Sequence, residues 1–224
     1  MKLLLVSNFY DIPNEHFALN LIFCEGLDTF HLRKKDYTED QMREYLERIP
    51  DFFHERIILH SHFHLVEEYG LKGAHFTKKY TFPEYVHGKR DSKAKRFARM
   101  GFSYHTINEV VKEGSIYDYV FLSPIFDSIS NKGYNSKFNP GELKKFLQQT
   151  VDRPEVIALG GINEKKVEMA QQLGFDGIAL LGHIWTDFEM DQDIKALANK
   201  FLLVQKSVGK FHSHGSNMVT KVAV

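Results

Sequence analysis

The sequence predicts a single-domain (β/α)8 TIM barrel, an α/β fold, on three observations. Eight short apolar runs, rich in β-branched or aromatic residues, recur along the chain. Their mean spacing is roughly 25 residues, which matches a strand plus a crossover helix. Helix start signals stand between several of them. An open doubly wound sheet is the rival fold, but the first turn, Ser7-Asn8-Phe9-Tyr10-Asp11, carries no glycine-rich dinucleotide loop.

The runs are residues 3–6, 29–32, 57–59, 73–76, 97–102, 119–122, 156–159 and 177–181, each too short for a helix. Thr38 followed by Gln41 is a capping-box pattern, and Met42, Tyr45, Leu46 and Ile49 then share one helical face. Thr106 and Glu109 make the same box ahead of Val110 and Val111. Asn139 with Pro140 and Glu142 opens another helix, using the preset φ of proline in the first turn. Asn163 opens the stretch carrying Val167, Ala170 and Leu173, which Gly174 ends. Asp191 begins a last helix with Ile194, Leu197, Ala198, Phe201 and Leu202. Residues 82–96 are basic and weakly periodic, and predict a short or distorted crossover. The barrel is assigned to residues 1–206, and residues 207–224, without core periodicity, to a loose C-terminal tail.

Composition narrows the function. Lys+Arg and Asp+Glu both number 29, so the formal net charge is zero, against the basic surplus expected of a nucleic-acid or anionic-membrane binder. A single cysteine, Cys24, excludes a disulfide framework and a cysteine zinc cluster, and fits a reducing, cytoplasmic compartment. No apolar run approaches a membrane span. The expected partners are small molecules, with homo-oligomerisation left open.

In such barrels the chemistry sits at the carboxyl ends of the strands, where the βα loops converge. After the second run, alternation places His31, Arg33 and Lys35 on one face and Leu32 and Lys34 on the other. Two cations at a strand end form a clamp for an anion such as phosphate, though a solvated charge run reads the same way. After the seventh run Gly160-Gly161-Ile162-Asn163 leads into a helix, and after the eighth Gly182-His183-Ile184-Trp185 does so again. Exposed amides at such helix starts bind phosphate. The loop after the sixth run holds Ser128, Ser130, Asn131 and Lys132, which offer donors for a second anion. His60, His62 and His64 alternate, but the third strand ends near His60, so no three imidazoles stay on one face; no metal site is assigned.

From about Lys2 to Ala198 the chain resembles the thiamine-phosphate synthase and thiazole tautomerase family of (β/α)8 barrels. The resemblance rests on ordered segments: Leu32-Arg33-Lys34-Lys35; residues 70–76 (GLKGAHF); 101–106 (GFSYHT) with Glu109; 118–120 leading to Pro124-Ile125-Phe126; 158–162 (ALGGI); and 174–179 (GFDGIA). It implies a transferase that joins an aminopyrimidine methyl diphosphate to a thiazole phosphate and releases diphosphate. It also implies that Arg33 and Lys35 bind the diphosphate and that Ser103 is the serine after the fifth strand. Ser128 and Ser130 stand where the family has threonines. The loop lysine is Lys132 if one residue is inserted, otherwise the position is Asn131. Gly161, Gly182 and His183 fall where amides hold the thiazole phosphate.

The family also implies Mg2+, yet its carboxylate ligands have no counterpart here. The family's glutamine is His31, its Asn-Asp pair aligns with His60-Ser61, and its second aspartate is missing from Thr77-Lys78-Lys79-Tyr80. A metal-independent thiazole tautomerase is the alternative, although the histidine of that branch aligns with Pro124. A barrel that binds a phosphorylated ligand without catalysis is the third reading.

Overall fold

The structure is a computed structural model that describes residues 1–79, 97–127, 136 and 138–209. Eight parallel strands close in sequence order: β1 (Lys2–Val6), β2 (Thr29–Leu32), β3 (Ile57–Leu59), β4 (Gly73–Phe76), β5 (Met100–Tyr104), β6 (Tyr119–Leu122), β7 (Glu155–Leu159) and β8 (Gly177–Leu180). The helices are α1 (Glu15–Cys24), α2 (Glu39–Glu47), α3 (Leu65–Glu68), α4 (Ile107–Glu113), α5 (Pro140–Gln149), α6 (Val167–Leu173), α7 (Gly182–Asp191) and α8 (Ile194–Gly209). The predicted crossover over 82–96 lies outside the described residues.

Strand alternation splits the apolar residues into two layers. Leu5, Phe30, Leu32, Ile57, Leu59, Phe76, Val120 and Val156 pack with the helices in the larger cluster. Leu4, Val6, Ile58, Tyr119, Phe121, Ile157 and Ala179 form a separate cluster inside the barrel. Gly101 makes that filling possible: a Cβ there would lie 2.1 Å from Tyr119 Cζ, on the strand paired beside it. At the amino ends of the strands, Lys2–Glu155, Arg99–Glu155 and Lys72–Asp28 pair across the barrel, each bridging over one intervening strand.

The caps act largely as the sequence predicts. Thr38 and Gln41 complete a reciprocal capping box on α2, with Met42, Tyr45 and Leu46 buried. Asn139 accepts from the amides of Gly141 and Glu142 at the start of α5. Thr106 caps α4, but Glu109 returns its bond to the His105 amide, and Val111 faces solvent.

Other boundaries differ. The fifth strand starts at Met100, because Phe97 is buried ahead of it and the Arg99 carbonyl accepts from Ala74. Asn163 closes a turn onto Lys165, and α6 begins at Val167. Asp191 ends α7, and Asp193 caps α8 through the Ala196 amide. That helix runs on to Gly209 with Val208 buried, so 207–209 continue the helix; the rest of the tail lies outside the described residues. Helix α1 carried no cap signal, since Asn14 stands left-handed at φ 58° and makes no side-chain cap.

One buried ion pair fixes the β2 end. Lys34 Nζ lies 2.5 Å from Glu15 Oε2 and 2.9 Å from the Tyr10 carbonyl, and Tyr45 donates to Glu15 Oε1 at 2.9 Å. Burial pushes the Glu15 carboxyl up, and Lys34 and Tyr45 offset it. Lys34→Met is therefore expected to lose roughly 3–5 kcal/mol in urea unfolding, because Glu15 is left buried without its cation. The double variant Lys34→Met with Glu15→Gln should recover most of that loss.

Candidate functional site

The end of β2 is held by its neighbour. Ser7 Oγ accepts from the Arg33 amide at 2.8 Å and donates to the Arg33 carbonyl, and the Lys35 amide donates to the Phe9 carbonyl. With Lys34 drawn into the core, alternation turns Arg33 and Lys35 the other way. The Arg33 guanidinium lies over the Phe9 ring at 4.6 Å, and Lys35 Nζ contacts the Tyr10 hydroxyl at 3.1 Å. The Tyr10 hydroxyl holds the Lys35 ammonium above its ordinary range. Together with His60, Thr77 and Lys79 these groups line a pocket of about 360 Å³; none of its described lining residues is a carboxylate, although Asp36 lies 3.5 Å from Lys79.

Below the pocket the barrel interior is polar. His31 on β2, His60 just after β3 and His75 on β4 are all buried. His31 Nδ1 and His60 Nε2 are 3.0 Å apart, and the His60 and His75 rings stack with centroids at 4.4 Å. His75 bonds the Tyr119 hydroxyl at 3.0 Å through Nδ1 and Ser103 Oγ at 2.8 Å through Nε2. Ser103 is half-buried and thus ties the floor to β5.

The two glycine turns belong to the same end of the barrel. Gly160 and Gly161 stand at φ 95° and 66°, and a Cβ on either would strike the 124–127 segment. Close packing therefore accounts for both glycines independently of any ligand. Gly182 opens α7, whose cap position Leu181 makes no side-chain bond, so the Leu181 side chain masks none of the first amides. His183 Nε2 lies 3.3 Å from the Glu164 carboxylate, which links the loops after β7 and β8. Trp185 Nε1 donates to the Val6 carbonyl at 2.7 Å and sets the helix over β1.

Of the residues singled out in the sequence, Arg33, Lys35 and His60 line one pocket, with His31 and Ser103 in the layer beneath. Gly160, Gly161, Gly182 and His183 sit on the adjoining loops after β7 and β8. Ser128, Ser130, Asn131 and Lys132 lie outside the described residues. Sequence reading did not find Tyr119 inside the barrel or Tyr10 in the pocket wall. The first is signalled by Gly101 opposite it, but only once the strand register is known.

A protein-family model described as "Thiamine monophosphate synthase" matches residues 5–184. The chain belongs to this family. A solved thiamine phosphate pyrophosphorylase from Bacteroides thetaiotaomicron is 32% identical with a TM-score of 0.76, covering 92% of this chain and 97% of that one. A thiamine-phosphate synthase from Photorhabdus laumondii is 25% identical over 78% of this chain and 81% of its own length. One from Mannheimia succiniciproducens is 27% identical, with the match spanning 46% of that protein.

His60, Ser61 and Thr77 occupy the pocket wall beside Lys79, where Mg2+ would require hard anionic oxygens in octahedral array. These residues do not fit Mg2+. Among the described residues, no helix is long and apolar enough to cross a membrane.

Burial keeps the inner imidazoles neutral: it takes His31 down to about 3, helped by Lys72 and Arg99, and carries His60 and His75 well below their ordinary 6.5. The unfolded chain protonates these rings near pH 6.5, so between there and about pH 3 it binds more protons than the folded chain. Their contribution is fully present above pH 6.5 and is lost as the pH falls. In chelator-treated protein the cluster should add a slope approaching ~4 kcal/mol per pH unit to the unfolding free energy. His60→Asn is expected to reduce that slope by about a third in urea titrations at stepped pH.

Proposed function

We propose that this chain joins an aminopyrimidine methyl diphosphate to a thiazole phosphate, forming thiamine phosphate. The carbon–oxygen bond to the diphosphate breaks, the diphosphate leaves with the electron pair, and the thiazole nitrogen forms the new carbon–nitrogen bond to the same carbon. The observation that carries this reading is the pocket at the end of β2, where Arg33, Lys35 and Lys79 come together among the described lining residues. Negative charge develops on the departing oxygen, and cations already in place stabilise it more in the transition state than in the ground state. The turn at Gly160-Gly161 and the start of α7 suit the phosphate of the second substrate.

Turnover of the two substrates, followed by mass spectrometry, tests the reading. Thiamine phosphate is expected, and Arg33→Ala or Lys35→Ala should lower kcat/KM by roughly 100- to 1000-fold with the fold intact. Omitting magnesium should cost little, because the described lining residues offer it no carboxylate and Arg33, Lys35 and Lys79 supply positive charge. Binding of thiazole phosphate without any product would instead assign the chain a ligand-binding role.

A further inference from the structure

We propose that His31, His60 and His75 form a binding site for one transition-metal dication of the zinc type, in the floor of the pocket. Three strands deliver the three rings to one place, and one ring nitrogen from each comes within 4.8 Å of the others. His31 Nδ1 and His60 Nε2 already stand at 3.0 Å, close to the separation of two nitrogens on one ion with bonds of about 2.0–2.1 Å.

The cluster is incomplete as a hydrogen-bonded core. Three neutral imidazoles bring three N–H groups and three lone pairs. His75 uses both of its nitrogens, on Tyr119 and Ser103. His31 and His60 satisfy one donor and one acceptor between them, which leaves His31 Nε2 and His60 Nδ1 buried without a partner. One of those two is an unmatched lone pair in the buried interior, and such groups in a native protein call for an explanation. An ion held by His31 Nδ1 and His60 Nε2 takes up their lone pairs directly and turns His31 Nε2 and His60 Nδ1 into N–H groups, so the convergence of the three rings, rather than those two atoms, carries the site. His75 then gives up one hydroxyl contact and keeps the other, which holds its ring orientation, as metal-bound histidines commonly require.

The chemistry of the donors selects the ion. Neutral imidazole suits Zn2+, Co2+, Ni2+ or Cu2+, whereas Mg2+ and Ca2+ need oxygen. Burial holds all three rings in the neutral, metal-binding form. Access is through His60, which also lines the pocket beside Arg33 and Lys35. The triad supplies no negative charge, so a bound dication leaves a position for an anionic oxygen from that pocket. The site stands whether or not the transferase reading holds.

The test uses the full chain stripped with chelator and titrated with Co2+. The expected result is a visible d–d band of low-coordinate Co2+ that saturates at one ion per chain, yields to Zn2+ and is untouched by Mg2+. His31→Gln and His60→Gln should each weaken Co2+ binding by more than the roughly 10–100-fold that loss of a supporting bond costs. Absence of a band, or a band unchanged in both variants, overturns the proposal; the latter would place the ion on imidazoles outside the cluster such as exposed His64. Should the variants fail to fold, 15N-histidine NMR of the wild-type chain decides it. Stoichiometric Zn2+ must shift three buried imidazoles, and shifts confined to exposed rings would refute the site.

Discussion

Eight parallel strands can close only around an interior that is filled, and in this chain that filling also forms the floor of the site. Tyr119 reaches across the barrel because Gly101 beside it has no side chain. Phe121 packs against His31 and His75 with ring centroids at 4.7 and 4.4 Å. The polar layer of three histidines, Ser103 and Tyr119 rests on this aromatic support. Removing the polar layer would leave a void in the core, and removing the aromatic layer would leave the histidines without position. Stability and site geometry are therefore set by the same residues.

The charge of the molecule is arranged along the barrel axis. Its formal net charge is zero, yet at the amino ends of the strands Lys2, Lys72 and Arg99 are each matched by an acid, while the pocket at the other end gathers Arg33, Lys35 and Lys79 among its described lining residues, with Asp36 beside Lys79. A balanced total thus coexists with a local positive field at the pocket, which the low-dielectric walls of a cleft concentrate. A phosphorylated substrate is drawn to that end, while the bulk of the surface has no general affinity for polyanions.

The barrel was legible in the sequence because period, run length and helix caps are local properties. The Thr38 box and the Asn139 cap read correctly for that reason. Helix α1 was not legible, since its start depends on Asn14 in a left-handed conformation and on Glu15 pairing with a lysine in the next βα unit. The placement of Arg33 and Lys35 on one wall, with Lys34 turned to Glu15, was readable from alternation. The histidine cluster was not: its members lie far apart in sequence, and only the closed register brings them together. The His60-His62-His64 alternation drew attention to the wrong set, because β3 ends at Leu59 and His62 turns back to the Tyr37 carbonyl.

Lys34 has a consequence beyond its ion pair. Arg33, Lys34 and Lys35 all border the pocket and are chemically similar, and only parity sends the Lys34 side chain to Glu15 in the core while the other two turn the opposite way. A one-residue insertion or deletion ahead of Arg33 would exchange these places, sending one cation into the pocket and two toward a single buried acid. The segment between β2 and Lys35 is thus a counting frame: substitutions within it can be graded, but its length tolerates no change of one.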